Sequence, residues 1–176
     1  MAMGQHRRIV QVVGYQNSGK TTFVEKIIRA AVEKGLKVGA IKHHGHGGKP
    51  TSISGKDSTK HAAAGAQIAA VEGEGAVQIE WNPDVFELEK IVEVYDFLKM
   101  DWIVIEGYKQ ATYDKVVLLK ERQDAALLEL SNVILAVYWP EFPEEIIREH
   151  RSIRLEDADD AINRLVEKEG GSHAKI

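Results

Sequence analysis

Gly14-Tyr15-Gln16-Asn17-Ser18-Gly19-Lys20-Thr21, followed by Thr22, fits the pattern G-x-x-x-x-G-K-[ST] of a phosphate-binding loop. Its flanks decide what it means. Ile9-Val10-Gln11-Val12-Val13 before it is a short apolar run that reads as a strand. Thr22-Phe23-Val24-Glu25-Lys26-Ile27-Ile28-Arg29-Ala30-Ala31-Val32 after it reads as a helix, with Phe23, Val24, Ile27, Ile28 and Ala31 on one apolar face. Strand, glycine loop and helix are the arrangement that phosphate binding needs. Glycines let the backbone curl so that N–H groups point at phosphate oxygens, and the helix N-terminus adds partial positive charge. Lys20 is positioned to reach the β- and γ-phosphates, and the Thr21 hydroxyl to ligate Mg²⁺.

The helix is predicted to end near Lys34, with Gly35 as its C′ residue. Leu36-Lys37-Val38-Gly39-Ala40-Ile41-Lys42 then reads as a second strand, so the start of the chain is a right-handed βαβ unit. The 43–56 stretch is rich in Gly, His, Ser and Thr and follows the end of that strand, the edge where open α/β sheets bind ligands. A short helix is expected at 57–64, capped by Asp57 or Ser58. Two strands at 66–71 and 75–81 form a hairpin around Glu72-Gly73-Glu74. A helix over 87–100 leads into Trp102-Ile103-Val104-Ile105-Glu106-Gly107, a buried parallel strand by composition. Further strands are expected at 116–119 and 132–138, and helices at 123–130, 144–149 and 156–168. The sum is an α/β fold of the three-layer P-loop NTPase-like kind. Its sheet is mostly parallel, with an antiparallel hairpin extension. Residues 1–169 read as a single nucleotide-binding domain and 170–176 as a disordered tail.

The 176 residues suffice for one domain with a sizeable core, and 44% hydrophobic with 28% charged residues is ordinary for a globular protein. A net charge of −4 gives no global signal for nucleic acid or a membrane surface. No cysteine is present, which excludes disulfides, thiolate nucleophiles and cysteine zinc sites and fits a reducing cytoplasm. No apolar run approaches a membrane span, and the first eight residues lack the apolar core of a secretory signal.

A nucleotide site of this kind needs an acid at the end of a second buried strand, to hold Mg²⁺ or its waters. Asp101 precedes its strand and falls at the wrong end. Glu106 follows it and falls at the edge of the phosphate loop, so Lys20 and Glu106 are the expected catalytic pair, and Thr21 and Glu106 the metal ligands. His43, His44, His46 and His61 match no zinc spacing and read as a polar loop that contacts an anion or a partner. Lys42 and Lys56 are candidates for phosphate contacts, and Asp57 for a helix cap or the Mg²⁺ shell. The nucleotide-binding set is therefore Gly14, Gln16, Asn17, Ser18, Gly19, Lys20, Thr21, Thr22, Lys42, His43, Lys56 and Asp57. The Asn-Lys-x-Asp tetrapeptide of many guanine-binding proteins does not occur. Asn132 precedes its strand, and Glu141, in Trp139-Pro140-Glu141-Phe142-Pro143, is either a guanine acceptor or a plain loop acid.

Four blocks taken together, the phosphate loop, Ile41-Lys42-His43, Gly55-Lys56-Asp57-Ser58 with Ala64-Gly65-Ala66, and Val104-Ile105-Glu106-Gly107-Tyr108-Lys109, resemble the molybdopterin-guanine dinucleotide biosynthesis protein B (MobB) family. The resemblance spans roughly residues 8–140. The chain departs from the family's denser histidine cluster, with His43-His44-Gly45-His46 and then Gly48-Lys49 where acids are common. The resemblance implies a cytoplasmic GTP- and Mg²⁺-binding accessory protein of molybdenum cofactor biosynthesis and a homodimer. It further implies at most a slow GTPase that assists the nucleotidyltransferase MobA in joining GMP to molybdopterin. Two readings from other classes stand beside it: a small-molecule kinase transferring the γ-phosphate, and a binding scaffold. Kinase lids carry several arginines, whereas Arg122 is the single arginine between Arg29 and Arg148. The intact Gly19-Lys20-Thr21 disfavours a scaffold that binds no nucleotide.

Overall fold

Six strands lie side by side in the order β2 (Val38–Lys42), β5 (Trp102–Glu106), β1 (Arg8–Gly14), β6 (Lys115–Leu119), β7 (Val133–Tyr138) and β8 (Ser152–Arg154). Every pairing among them is parallel. The computed structural model describes residues 8–45 and 58–167. They divide into two compact units, one drawn from Met1–His43 with Ile91–Ile176 and the other from His44–Lys90.

Alternation along the strands builds two cores in the first unit. Val12, Val116, Leu118, Leu135 and Val137 face one side, where they meet Phe23 and Ile27 of α1 (Lys20–Glu33) and Ala158 and Ile162 of α5 (Ala158–Glu167). Val13, Val117, Leu119, Ala136 and Tyr138 face the other, where they meet Leu127, Phe142 and Ile147. Side chains two apart share a face, so one strand serves both layers and few of its residues are polar. On the second face Tyr95 also packs against Gly39 and donates a hydrogen bond from its hydroxyl to the Ala40 carbonyl at 2.8 Å. Helix α1 ends in a Schellman motif, with Leu36 N–H on the Ala31 carbonyl and Gly35 N–H on the Val32 carbonyl, as the placing of Gly35 predicts.

The second unit holds α2 (Ser58–Ala63) and an antiparallel pair, β3 (Ile68–Gly73) and β4 (Ala76–Trp81). Its turn is Glu74-Gly75, both left-handed at φ 52 and 80, and not the 72–74 stretch expected from sequence. A two-residue turn with both φ positive matches the twist of a hairpin, and Gly73 is left to pair with Ala76. The helix α3 (Leu88–Phe97) follows, and α4 is Glu144–Ile147. Other expectations shift as well, several of them by two or three residues at an element's end. The segment Arg122–Glu129 is a 3₁₀ helix, β6 starts one residue early at the buried Lys115, and the edge strand β8 arises where none was predicted. Among the described residues no helix is long and apolar enough to cross a membrane.

Candidate functional site

From the end of β1 the chain crosses to β2 on one side, and from the end of β5 it crosses to β6 on the other. Strands β1 and β5 are neighbours, so a crevice opens between their carboxyl ends, where open α/β sheets bind ligands. The glycine loop leaves β1 there, and Glu106 closes β5 beside it.

A Cβ on Gly14 would stand 2.3 Å from Ser18 Oγ and 3.3 Å from the Leu118 carbonyl, so the loop closes this tightly only around glycine. Asn17 (φ 60) and Gly19 (φ 89) are left-handed, the backbone pattern that gathers successive N–H groups around an anion. No side chain caps α1 at Gly19, which leaves its first-turn N–H groups to a ligand. Ser18 is buried, and its Oγ has no hydrogen-bond partner. Gln16, Asn17 and Thr22 are exposed around the loop. A glycine cradle, an uncapped helix N-terminus and an orphaned hydroxyl together fit a bound phosphate.

Lys20 donates from Nζ to the Tyr15 carbonyl, across the loop. Burial holds its pKa below the usual lysine range; Glu106 opposes that shift, Lys109 and Lys42 add to it, and Asp124 opposes it. The Thr21 hydroxyl donates to Glu106 Oε1 at 2.9 Å, and Lys42 Nζ donates to Thr21 Oγ1 at 3.0 Å. Lys42 Nζ also lies 3.1 Å from Glu106 Oε1. Thr21, Lys42 and Glu106 thus converge in a triangle, an ammonium resting against a hydrogen-bonded hydroxyl and carboxylate, the oxygen donors that suit Mg²⁺. Asp101 sits at the opposite end of β5, where its Oδ2 accepts the Lys37 N–H at 2.8 Å.

Beyond Glu106 the chain turns through two left-handed residues, Gly107 (φ 92) and Tyr108 (φ 50). A Cβ on Gly107 would come within 2.8 Å of His43 Cβ, so both its conformation and its neighbour require glycine. His43 donates its N–H to the Glu106 carbonyl at 2.9 Å, and its ring lies 4.4 Å from that of Tyr108. Four contributors escaped sequence reasoning. Gln11, fully buried in β1, donates from Nε2 to the Gly107 carbonyl at 2.6 Å and to the Tyr108 carbonyl. A glutamine inside an apolar strand was the signal available for it. Lys109 places its ammonium 3.7 Å from the centre of the Tyr15 ring. Trp139, at the end of β7, donates from Nε1 to the Ser18 carbonyl at 3.1 Å, with Lys120 over its ring. The buried Asp124 accepts the N–H groups of Lys120 and Glu121 at 2.7 and 2.9 Å.

Lys56, Asp57 and His46 lie outside the described residues, and His44 and His61 belong to the second unit. Asn132 stands at the far end of the sheet, donating its amide to the Thr112 carbonyl. Among the described residues no three His, Cys, Asp or Glu side chains form a metal cluster.

An all-parallel sheet with a glycine loop after its inner first strand, and an acid at the tip of the neighbouring strand, defines a P-loop nucleoside triphosphatase fold. Within that class, the chain belongs to the family described as molybdopterin guanine dinucleotide synthesis protein B (MobB), whose model matches residues 9–139. It is 44% identical over 163 residues to the probable molybdopterin-guanine dinucleotide biosynthesis adapter protein of Bacillus subtilis (strain 168), covering 92% of each chain. To the adapter protein of that pathway in Haemophilus influenzae it is 31% identical over 142 residues, 80% of this chain and 78% of that one. The solved structure of Bacillus subtilis MobB resembles it with a TM-score of 0.78 at 41% identity, covering 94% of this chain and 99% of that one. A MobB homolog from Bacillus stearothermophilus resembles it with a TM-score of 0.69 at 35% identity, covering 89% and 94%.

Proposed function

We propose that this chain binds GTP with Mg²⁺ and serves as an adapter in molybdopterin guanine dinucleotide biosynthesis, assisting a MobA-type nucleotidyltransferase that joins GMP to molybdopterin. One observation carries the reading: Thr21, Glu106 and Lys42 meet beside the glycine cradle in a chain of the MobB family. In this reading Lys20 leaves the Tyr15 carbonyl for the β- and γ-phosphates. Lys42 and His43 border them. Thr21 and Glu106 hold Mg²⁺, directly or through its waters; when bound, the ion neutralises phosphate charge. Hydrolysis is slow, because Glu106 is committed to Mg²⁺ while Asp124 caps the N–H groups of Lys120 and Glu121, so neither acid is free to orient an attacking water.

The protein also pairs with a second copy through the hairpin. Ile68, Val77 and Ile79 share one face of β3–β4 and are 60%, 58% and 64% exposed. Calorimetry with Mg·GTP and Mg·ATP, followed by co-sedimentation with a MobA-type enzyme, tests the proposal. GTP should bind more tightly than ATP, Lys20→Ala should abolish binding, and the two proteins should associate. Equal affinity for both nucleotides together with no association would refute it.

A further inference from the structure

We propose that Lys109 is a terminal-phosphate ligand, an ammonium held at the loop by Tyr15 and released onto the last phosphate of a bound nucleoside triphosphate. The proposal rests on the nucleotide reading above and adds to it a residue that tells triphosphate from diphosphate.

Tyr15, the first variable residue of the glycine loop, holds two ammonium groups. Its carbonyl accepts Lys20 Nζ, and its ring lies 3.7 Å below Lys109 Nζ. Lys109 arrives from the strand end that supplies Glu106, three residues further on. The backbone between them is fixed, since Gly107 and Tyr108 are both left-handed and Gln11 Nε2 binds both of their carbonyls. Reorientation therefore falls to the lysine side chain. The loop amides of a P-loop wrap the inner phosphates, and the outermost phosphate points toward the acid that holds the metal. That is the side from which Lys109 approaches.

Charge favours the move. Lys20 feels Lys42 and Lys109 as fellow cations and Glu106 and Asp124 as anions, so three ammonium groups face two carboxylates around the loop. An exposed cation–π contact is weaker than a charge-assisted hydrogen bond to phosphate. A terminal phosphate therefore draws Lys109 off the Tyr15 ring, and a diphosphate leaves it there. The alternative is that Lys109 only packs on the aromatic ring.

Calorimetric titration of the full chain with Mg·GTP and Mg·GDP decides between them, using wild type, Lys109→Met and Lys109→Arg. The methionine variant should lose about tenfold or more in GTP affinity, while GDP affinity changes by less than about twofold. The arginine variant should recover most of the loss. Circular dichroism should match wild type in both variants. Equal loss for both nucleotides, or no loss for either, overturns the inference while leaving the nucleotide reading intact. A wild-type protein that binds neither nucleotide overturns both.

Discussion

Lys42 and Glu106 occupy directly opposed positions on the parallel strands β2 and β5, with the Lys42 ammonium 3.1 Å from the Glu106 carboxylate. The register sets the pair. Val38 faces Trp102, Ala40 faces Val104 and Lys42 faces Glu106, all on the face that carries α1. Thr21, at the start of α1, completes the triangle. A divalent cation bound by Thr21 and Glu106 has to displace the lysine, so Lys42 and Mg²⁺ compete for one carboxylate. Glu106→Gln should raise the Mg²⁺ concentration needed for half-maximal GTP binding by about tenfold or more. Lys42→Met should lower that midpoint while weakening GTP binding at saturating Mg²⁺, because a phosphate partner is lost. Titrations of GTP affinity against Mg²⁺ separate the two effects, and a Glu106→Gln midpoint equal to wild type would remove the acid from the metal site.

Lys20 costs the fold stability in return for phosphate binding. Burial strips water from its ammonium and lowers its pKa beneath the ordinary 10.5. Below the lowered value the proton is bound in folded and unfolded chains alike, and the penalty is present in full. As pH rises through the folded value toward 10.5, the folded chain sheds its proton first, and this residue's contribution to stability rises. Lys20→Met should therefore melt at or slightly above wild type at pH 7, by roughly 1–3 °C, and lose that alkaline rise. Its GTP affinity should fall by about 100-fold or more. Thermal melts at pH 7 and pH 10 measure this, and a variant melting well below wild type at pH 7 would contradict it.

Lys115 plays the opposite part. It is fully buried at the start of β6 and donates to the carbonyls of Ala111, Tyr113 at 3.2 Å and Ser131 at 2.9 Å. All three ammonium protons are used, and two loops at the far end of the sheet are tied together. Burial lowers its pKa and the neighbouring Asp114 raises it, with the lowering dominant. Lys115→Met keeps much of the volume but leaves three acceptors without their donor. It should cost roughly 3–5 kcal/mol and lower the melting temperature by about 10 °C. Nucleotide affinity measured well below the melt should be unchanged, since Lys115 lies at the end of β6 away from the loop.

Lys115 also shows where reading the sequence stops. The apolar strands, the glycine loop and the acid at a strand end are written in local patterns, and the order of those patterns is enough for a parallel sheet and its crevice. A strand predicted to start at Val116 omits Lys115 because lysine is rarely buried, and only the carbonyls of 111, 113 and 131, distant in pattern, make its burial possible. Gln11 is the same case. Its partners Gly107 and Tyr108 lie on another strand's exit, and nothing local announces them. The edge strand β8 is three residues long, too short for any period to register. Trp139 stands in a loop block whose local pattern assigns a role only to Glu141, and its backbone partner, Ser18, lies 121 residues away.

The hairpin tests the proposed pairing of two copies. Ile68 sits opposite Trp81, Ala70 opposite Ile79 and Glu72 opposite Val77, so one face of β3–β4 carries Ile68, Val77 and Ile79 in a row. Ladder geometry holds these side chains close enough to form one apolar stripe, and a stripe of that kind is more stable covered than in water. A second copy covers it symmetrically, with like residues meeting about a two-fold axis. Ile79→Lys sets an ammonium at the centre of that stripe, and Ile68→Lys with Ile79→Lys sets two. Sedimentation equilibrium should give the dimer mass for wild type, a weakened dimer for the single variant and the 19.6 kDa monomer for the double. GTP affinity of the double variant should stay within about twofold of wild type, because the residues assigned to phosphate and metal among the described ones belong to the first unit. A double variant that remains dimeric would place the pairing surface elsewhere, and a monomeric wild type would end the dimer proposal.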